Sequence, residues 1–148
     1  MRVTDLRPED IEKVIDLSRS LNLCLWSKAS LILELEKSDS IMLKLADGNR
    51  VAGFAAGRTV DQATGMIELF NIGVEKELHG KGGGQLLLDK FLEQGRLLGA
   101  KRILLEVRVS NTRAIRFYEK NGFIRLGRRP RFYSNPTEDG FTMRLELA

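Results

Sequence analysis

Two scarce residue types exclude much of the chemistry open to a chain of this size. There is one cysteine, Cys24, and one histidine, His79. A single thiol closes no internal disulfide, and one imidazole with one thiol makes no metal-ligand cluster, so no metal is expected. Cys24 itself reads as a small apolar filler rather than a nucleophile. No apolar run approaches the ~20 residues needed to span a bilayer, and the opening Met1-Arg2-Val3-Thr4-Asp5 lacks the apolar stretch of a signal peptide. The expectation is a cytoplasmic protein with no membrane or DNA partner, a monomer or weak dimer. Repeats, low-complexity tracts and long linkers are also lacking. What remains fits a single domain over residues 1–148, 43% hydrophobic and 30% charged, long enough to bury a core without staples. Its net charge of +4 suits a polyanionic ligand and would suit RNA equally.

Glycine is not scarce, and it is concentrated. Ile67-Glu68-Leu69-Phe70-Asn71-Ile72-Gly73-Val74 is rich in branched and aromatic residues and reads as a strand ending at Glu75-Lys76-Glu77. His79-Gly80-Lys81-Gly82-Gly83-Gly84-Gln85 follows, and beyond it Leu88, Phe91, Leu92 and Leu98 recur at helical spacing, with Gly99 as the stop. A glycine turn that opens a helix brings backbone N–H groups close to a ligand and adds the positive end of the helix dipole. Such a place binds phosphate. A dinucleotide turn needs its glycines directly after the strand, and a Walker loop needs Gly-Lys-Ser/Thr; both patterns fail here. Gly80-Lys81-Gly82-Gly83 also fits the Gly-x-x-Gly loop of a KH RNA-binding module, but that loop joins two helices, so this reading ranks lower.

The other elements follow in order. Arg2 to Leu6 is a short strand, and Pro8, Glu9 and Asp10 mark a helix start with apolar face Ile11, Val14, Ile15 and Leu21. Ser27 caps a second helix running to about Lys37. Ile41 to Leu45 and Val51 to Gly57 are strands joined at Asp47-Gly48-Asn49-Arg50. Ile103 to Val109 is a strand with one apolar face, Ile103, Leu105, Val107 and Val109, while Leu104, Glu106 and Arg108 point the other way. A carboxylate midway along such a strand faces either a cleft or a salt-bridge partner such as Arg108. Asn111 caps the helix Thr112 to Asn121, closed by Gly122. Phe123 to Leu126 continues as a strand that pairs with the alternating Phe141 to Leu147, across the loop Ser134 to Gly140. The order strand, helix, strand makes the two central strands parallel, within a mixed, mostly antiparallel sheet flanked by about four helices: an α/β domain.

His79-Gly80-Lys81-Gly82-Gly83-Gly84 resembles the pyrophosphate loop of the GCN5-related N-acetyltransferases (GNAT), Gln/Arg-x-x-Gly-x-Gly/Ala, departing at His79. Asn111-x-x-Ala114-x-x-x-Tyr118-x-x-x-Gly122-Phe123 resembles the second coenzyme A element of that superfamily. More narrowly, Trp26-Ser27, Glu34-Leu35, Asn71-Ile72-x-Val74, Leu105-Glu106-Val107-Arg108, Gly127-x-Arg129-x-x-Phe132-Tyr133 and Glu138-Asp139 resemble the bacterial ribosomal-protein-alanine N-acetyltransferases. Departures stand at Leu25, Leu31, Phe132 and Gly140.

The resemblance implies acetyl-CoA as cosubstrate. Its pyrophosphate would lie on the amides of Gly80, Lys81, Gly82, Gly83, Gly84 and Gln85, beside His79, with Asn111 near the pantetheine and the two central strands splayed to admit it. A backbone N–H around Ile72, Gly73 and Val74 would polarise the thioester carbonyl.

Acetylating an amine requires its neutral form, and an α-amine with a pKa of about 7.7–8.0 is deprotonated at less cost than a lysine near 10.4. Glu106 is the candidate base, with Glu68 on the neighbouring strand as its backup, and Tyr118 is the candidate acid for the departing thiolate. Trp26 and Tyr133 are read as lining a slot for a protein N-terminus, the resemblance suggesting a ribosomal protein beginning with alanine. Lysine or a small amine is the alternative acceptor. The alternative of a different class is a non-catalytic RNA- or nucleotide-binding module using the same glycine turn.

Overall fold

The computed structural model describes residues 1–23 and 26–147; Cys24, and the filler role read for it, lie outside them. In chain order the elements are β1 (Arg2–Asp5), α1 (Ile11–Ser20), α2 (Lys28–Leu35), β2 (Ser40–Asp47), β3 (Arg50–Asp61) and β4 (Met66–Val74). Then come α3 (Gly83–Leu97), β5 (Arg102–Arg108), α4 (Thr112–Lys120), β6 (Ile124–Tyr133) and β7 (Glu138–Glu146). The strands form one seven-stranded sheet in the order β1-β2-β3-β4-β5-β7-β6. Every neighbouring pair is antiparallel except β4 and β5.

That parallel pair positions the site. It is short: Met66 lies opposite Arg102, Ile67 opposite Ile103 and Glu68 opposite Leu104. Past Glu68 the two strands part, β4 staying with β3 as far as Val74 and β5 staying with β7 as far as Arg108. The sheet therefore opens as a wedge between the C-terminal halves of its two central strands. The register between β3 and β4 also shifts between Ala56 and Gly57, which leaves Phe70 bulged out of the ladder. A bulge re-aims the strand beyond it.

Each face of the sheet carries its own core. On one side α3 and α4 set Leu87, Leu88, Phe91, Ile115 and Tyr118 against Leu43, Leu69, Ile103, Leu105 and Met143. On the other α1 and α2 set Ile11, Val14, Leu17 and Leu31 against Met42, Phe54 and Ala56. β5 alternates as its sequence predicts, with Ile103, Leu105 and Val107 buried and Leu104, Glu106 and Arg108 half-buried.

Several boundaries differ from expectation. Pro8–Asp10 forms a 3-10 turn and α1 starts only at Ile11. Leu98, assigned to the apolar face of the third helix, caps that helix and is exposed, while Gly95 takes a buried place on the face. Val109 lies outside β5. The largest difference is β6, which runs on past Leu126, where the strand was expected to stop, through Gly127-Arg128-Arg129-Pro130-Arg131 to Tyr133. Its residues Ile124 to Phe132 are all exposed. An edge strand of this kind needs no apolar alternation and tolerates a proline, so its own pattern carries little signal.

Two buried carboxylates tie helices to the sheet. Glu34 accepts from the Ser40 hydroxyl and from Arg58 Nη1 at 3.2 Å, fastening α2 to β2 and β3. Asp10, 7% exposed, accepts from Lys44 Nζ at 2.8 Å and from the Arg7 amide at 2.9 Å. Burial alone would raise the Asp10 pKa, but the Lys44 and Arg7 hydrogen bonds outweigh it and hold the carboxyl below its ordinary value. A carboxyl depressed in the folded state stabilises above its unfolded pKa and ceases to do so as pH falls through its folded one. Asp10→Ala is therefore expected to cost about 1–3 kcal/mol at neutral pH, a fall of about 3–9 °C in unfolding midpoint for a chain of this size. The difference from wild type should shrink as pH is lowered past the folded pKa. Thermal denaturation of both proteins from pH 7 down to pH 3 checks it.

Candidate active site

At the wedge lies a cavity of about 640 Å³, lined by Leu21 and Leu23, the end of β4, the glycine turn and one side of α4 from its cap Asn111 to Lys120. Gly80 and Gly82 hold left-handed backbone, φ 80° and 87°, which glycine adopts without the strain other residues incur. A Cβ at either would meet nothing within 4 Å, so the space over the turn is open. Gly82 caps α3, and the amides of Gly83, Gly84 and Gln85 form its first turn, where N–H groups have no acceptor within the helix. Gly83 answers a packing demand, since its Cβ would come within 2.6 Å of Leu45 Cδ2. His79 Nε2 lies 2.8 Å from the Val74 carbonyl. A carbonyl can only accept, so Nε2 carries the proton, and the imidazole fastens the turn to the end of β4.

The opposite wall is α4. Asn111 Oδ1 accepts from the Ala114 amide at 3.2 Å, the cap its sequence predicts. Tyr118 lines the cavity from the next turns and is 7% exposed, packed between the rings of Phe117 and Phe123. Burial first, and the neighbouring Tyr133 second, push its phenol well above the ordinary tyrosine value. The phenol therefore keeps its proton at neutral pH. Two side-chain amides hold the walls together: Gln85 Nε2 donates to Asn121 Oδ1 at 2.8 Å, and Asn121 Nδ2 donates back to Gln85 Oε1 at 3.1 Å. This clamp escaped the sequence reading, because its partners stand 36 residues apart.

The charge of the cavity is one-sided. Lys76, Arg113, Arg116 and Lys120 line it, and no aspartate or glutamate does among the described residues. Lys81, whose amide the resemblance places under the pyrophosphate, is exposed and is not one of the lining residues. Arg113, Arg116 and Lys120 recur at i, i+3 and i+7 and so share one face of α4.

Glu106 lies at the other side of the wedge, outside the cavity lining. Thr142 on β7 donates its hydroxyl to the carboxylate, 2.9 Å from Oε2 and 3.1 Å from Oε1. Arg129 Nη1 on β6 donates to Oε1 at 3.2 Å. The partner is thus Arg129 and not Arg108, which the sequence offered. Arg108 instead bonds Glu138 Oε1 at 3.1 Å and the Pro136 and Ser134 carbonyls at 2.9 and 3.0 Å. Its guanidinium also lies 4.6 Å from the centre of the Tyr133 ring, so Arg108 sets the turn that carries Tyr133. Glu68, one strand from Glu106, has its pKa raised by burial and by the Glu106 charge, against the pull of Arg58 and Arg129. Both carboxylates therefore stand near the point where β4 and β5 part. Trp26 is half-buried, and its ring packs 4.5 Å from that of Phe70, the bulged residue.

Of the residues singled out in the sequence, the cavity gathers Ile72, Gly73, Val74, His79, Gly80, Gly82, Gly83, Gly84, Gln85, Asn111 and Tyr118. Glu106, Trp26 and Tyr133 stand apart from its lining. Among the described residues no group of histidine, cysteine and carboxylates is arranged to hold a metal.

Residues 11–123 match the model of the Acetyltransferase (GNAT) family. The chain is 33% identical over 136 residues to a [ribosomal protein bS18]-alanine N-acetyltransferase of Haemophilus influenzae, covering 91% of this chain and 89% of that one. It is 30% identical over 129 residues to the enzyme of the same name from Haemophilus ducreyi, covering 86% of each. The fold is similar to the crystal structure of the ribosomal-protein-S18-alanine N-acetyltransferase from Escherichia coli, with a TM-score of 0.84 and 25% identity over 99% of this chain and 93% of that one. Glycine turn, wedge and family match agree, and the chain is an N-acetyltransferase of the GNAT family.

Proposed function

We propose that this enzyme transfers the acetyl group of acetyl-CoA to the N-terminal α-amine of a protein, most specifically a ribosomal protein beginning with alanine, by direct transfer within a ternary complex. The observation that carries the cosubstrate is the cavity: cationic side chains, no acidic ones among the described residues, open left-handed glycines and an α-helix N-terminus all favour a polyphosphate there. Acetyl-CoA, when bound, supplies the thioester that accepts the amine. Residues of the chain do the rest. Glu106, oriented by Thr142, takes the proton of the attacking amine, and Glu68 is the nearest second acceptor. Tyr118 donates its proton to the sulfur as the carbon–sulfur bond breaks. The acceptor assignment draws on the relatives' substrate and on the mild basicity of an α-amine, which one carboxylate can deprotonate.

Tyr118→Phe removes one hydroxyl and keeps the ring packing. It is expected to lower turnover by about tenfold or more while leaving acetyl-CoA affinity nearly unchanged, because the ring still lines the cavity. The same titration separates this reading from an RNA-binding module. Acetyl-CoA should raise the unfolding midpoint in proportion to its occupancy, and an RNA oligonucleotide should not. Stabilisation by RNA alone would favour the binding module.

A further inference from the structure

We propose that Arg129 stands in for the acceptor's ammonium group: in the free enzyme its guanidinium occupies the cation position on Glu106, and the incoming amine displaces it. The inference rests on the proposed role of Glu106 as proton acceptor. The contact is single and lopsided. Arg129 Nη1 meets Glu106 Oε1 at 3.2 Å, with the arginine side chain 57% exposed and the glutamate 18%. An ion pair whose cation stands largely in water is held weakly and exchanges readily.

Glu106 does not depend on Arg129 for its orientation. The Thr142 hydroxyl lies within hydrogen-bond distance of both carboxylate oxygens, so the carboxylate keeps its aim when the guanidinium leaves. Arg129 in turn has a second resting place, since its Cζ lies 4.6 Å from the centre of the Phe132 ring. A guanidinium released from Glu106 retains that contact with the ring.

The charges call for such an exchange. The Glu106 charge opposes the ionisation of Glu68, and Arg129 counters it. Arg58, the other cation acting on Glu68, already bonds Glu34 at 3.2 Å. An acceptor that arrives as a primary ammonium replaces Arg129 charge for charge and then gives one proton to the carboxylate, leaving a neutral amine. A neutral or hydroxyl acceptor cannot make that replacement, so Arg129 selects for ammonium groups at entry.

The test is steady-state kinetics of Arg129→Gln and Arg129→Lys with a peptide bearing a free N-terminal alanine. With the competing cation gone, Arg129→Gln should lower the peptide KM by about fivefold, close to 1 kcal/mol of binding. kcat should not fall, and the KM for acetyl-CoA should stay at the wild-type value. Arg129→Lys keeps a cation on Glu106 and should keep a peptide KM near wild type. A peptide KM that rises in Arg129→Gln, or a kcat that falls while KM holds, overturns the exchange and makes Arg129 a support for Glu106. If the wild type leaves the peptide unmodified, the acceptor reading fails separately. The KM criterion then decides the Arg129 proposal with whichever amine the enzyme does acetylate.

Discussion

Glu106→Gln is expected to lower turnover on an N-terminal alanine peptide at pH 7 by about a hundredfold or more, the usual range for loss of a positioned general base. Glutamine keeps the volume and one oxygen that can accept from Thr142, so the fold should survive and the loss should lie in chemistry. What the variant cannot do is take a proton. At pH 7 an α-amine with a pKa of about 7.7–8.0 is only about one-tenth neutral. The variant must rely on that fraction, and above pH 7 its rate should rise by at most about tenfold in all, flattening past about pH 8. The gap to wild type therefore narrows as pH increases. A lysine acceptor would give a different profile, climbing to about pH 10 before flattening. A pH series of kcat/KM for the two proteins reads all of this. An unchanged rate at pH 7 would remove Glu106 from the mechanism.

The second large effect concerns the glycine turn. Gly84 sits in the first turn of α3 with ordinary helical backbone, and a Cβ there would touch only the Phe117 ring at 3.7 and 3.8 Å, normal contact distances. Neither backbone strain nor packing demands glycine at this position. The cavity does, because Gly84 lines it and its amide is one of the free donors of the helix start. Gly84→Leu should keep its unfolding midpoint near that of wild type and lose about a hundredfold in acetyl-CoA affinity, about 2.7 kcal/mol, as the side chain fills the approach of the pyrophosphate. Isothermal titration together with a melting curve separates the two. Gly83→Leu is the contrasting variant, since it must push Leu45 aside and should lose stability as well.

Much of the fold was legible because local chemistry and global structure agree there. Ser27 and Asn111 cap the helices they precede, Gly99 and Gly122 end helices in left-handed conformation, and β5 alternates because one of its faces is core. The wedge was expected from the family resemblance and from strand order; the point at which it opens, after only three paired residues, is set by the packing of the whole sheet. What stayed hidden is chiefly what long-range partners decide. β6 is held by pairing with β7 and not by its own apolar pattern. Thr142 and Arg129 reach Glu106 from strands that follow it in sequence by 36 and 23 residues, so its partners could not be read from spacing. The cations of the cavity are a third case. Lys81 stands in the motif, but apart from Lys76 the charge comes from the exposed face of α4, a row that in sequence looks like any solvated helix face.

Which amine is acetylated decides the proposed function, and one measurement tests that directly. Incubate the enzyme and acetyl-CoA with a peptide that carries both a free N-terminal alanine and an internal lysine, and map the products by fragmentation mass spectrometry. The account predicts acetyl on the α-amine, with the lysine unmodified at neutral pH. Acetyl on the lysine alone, or a peptide left untouched while polyamines are acetylated, would contradict it.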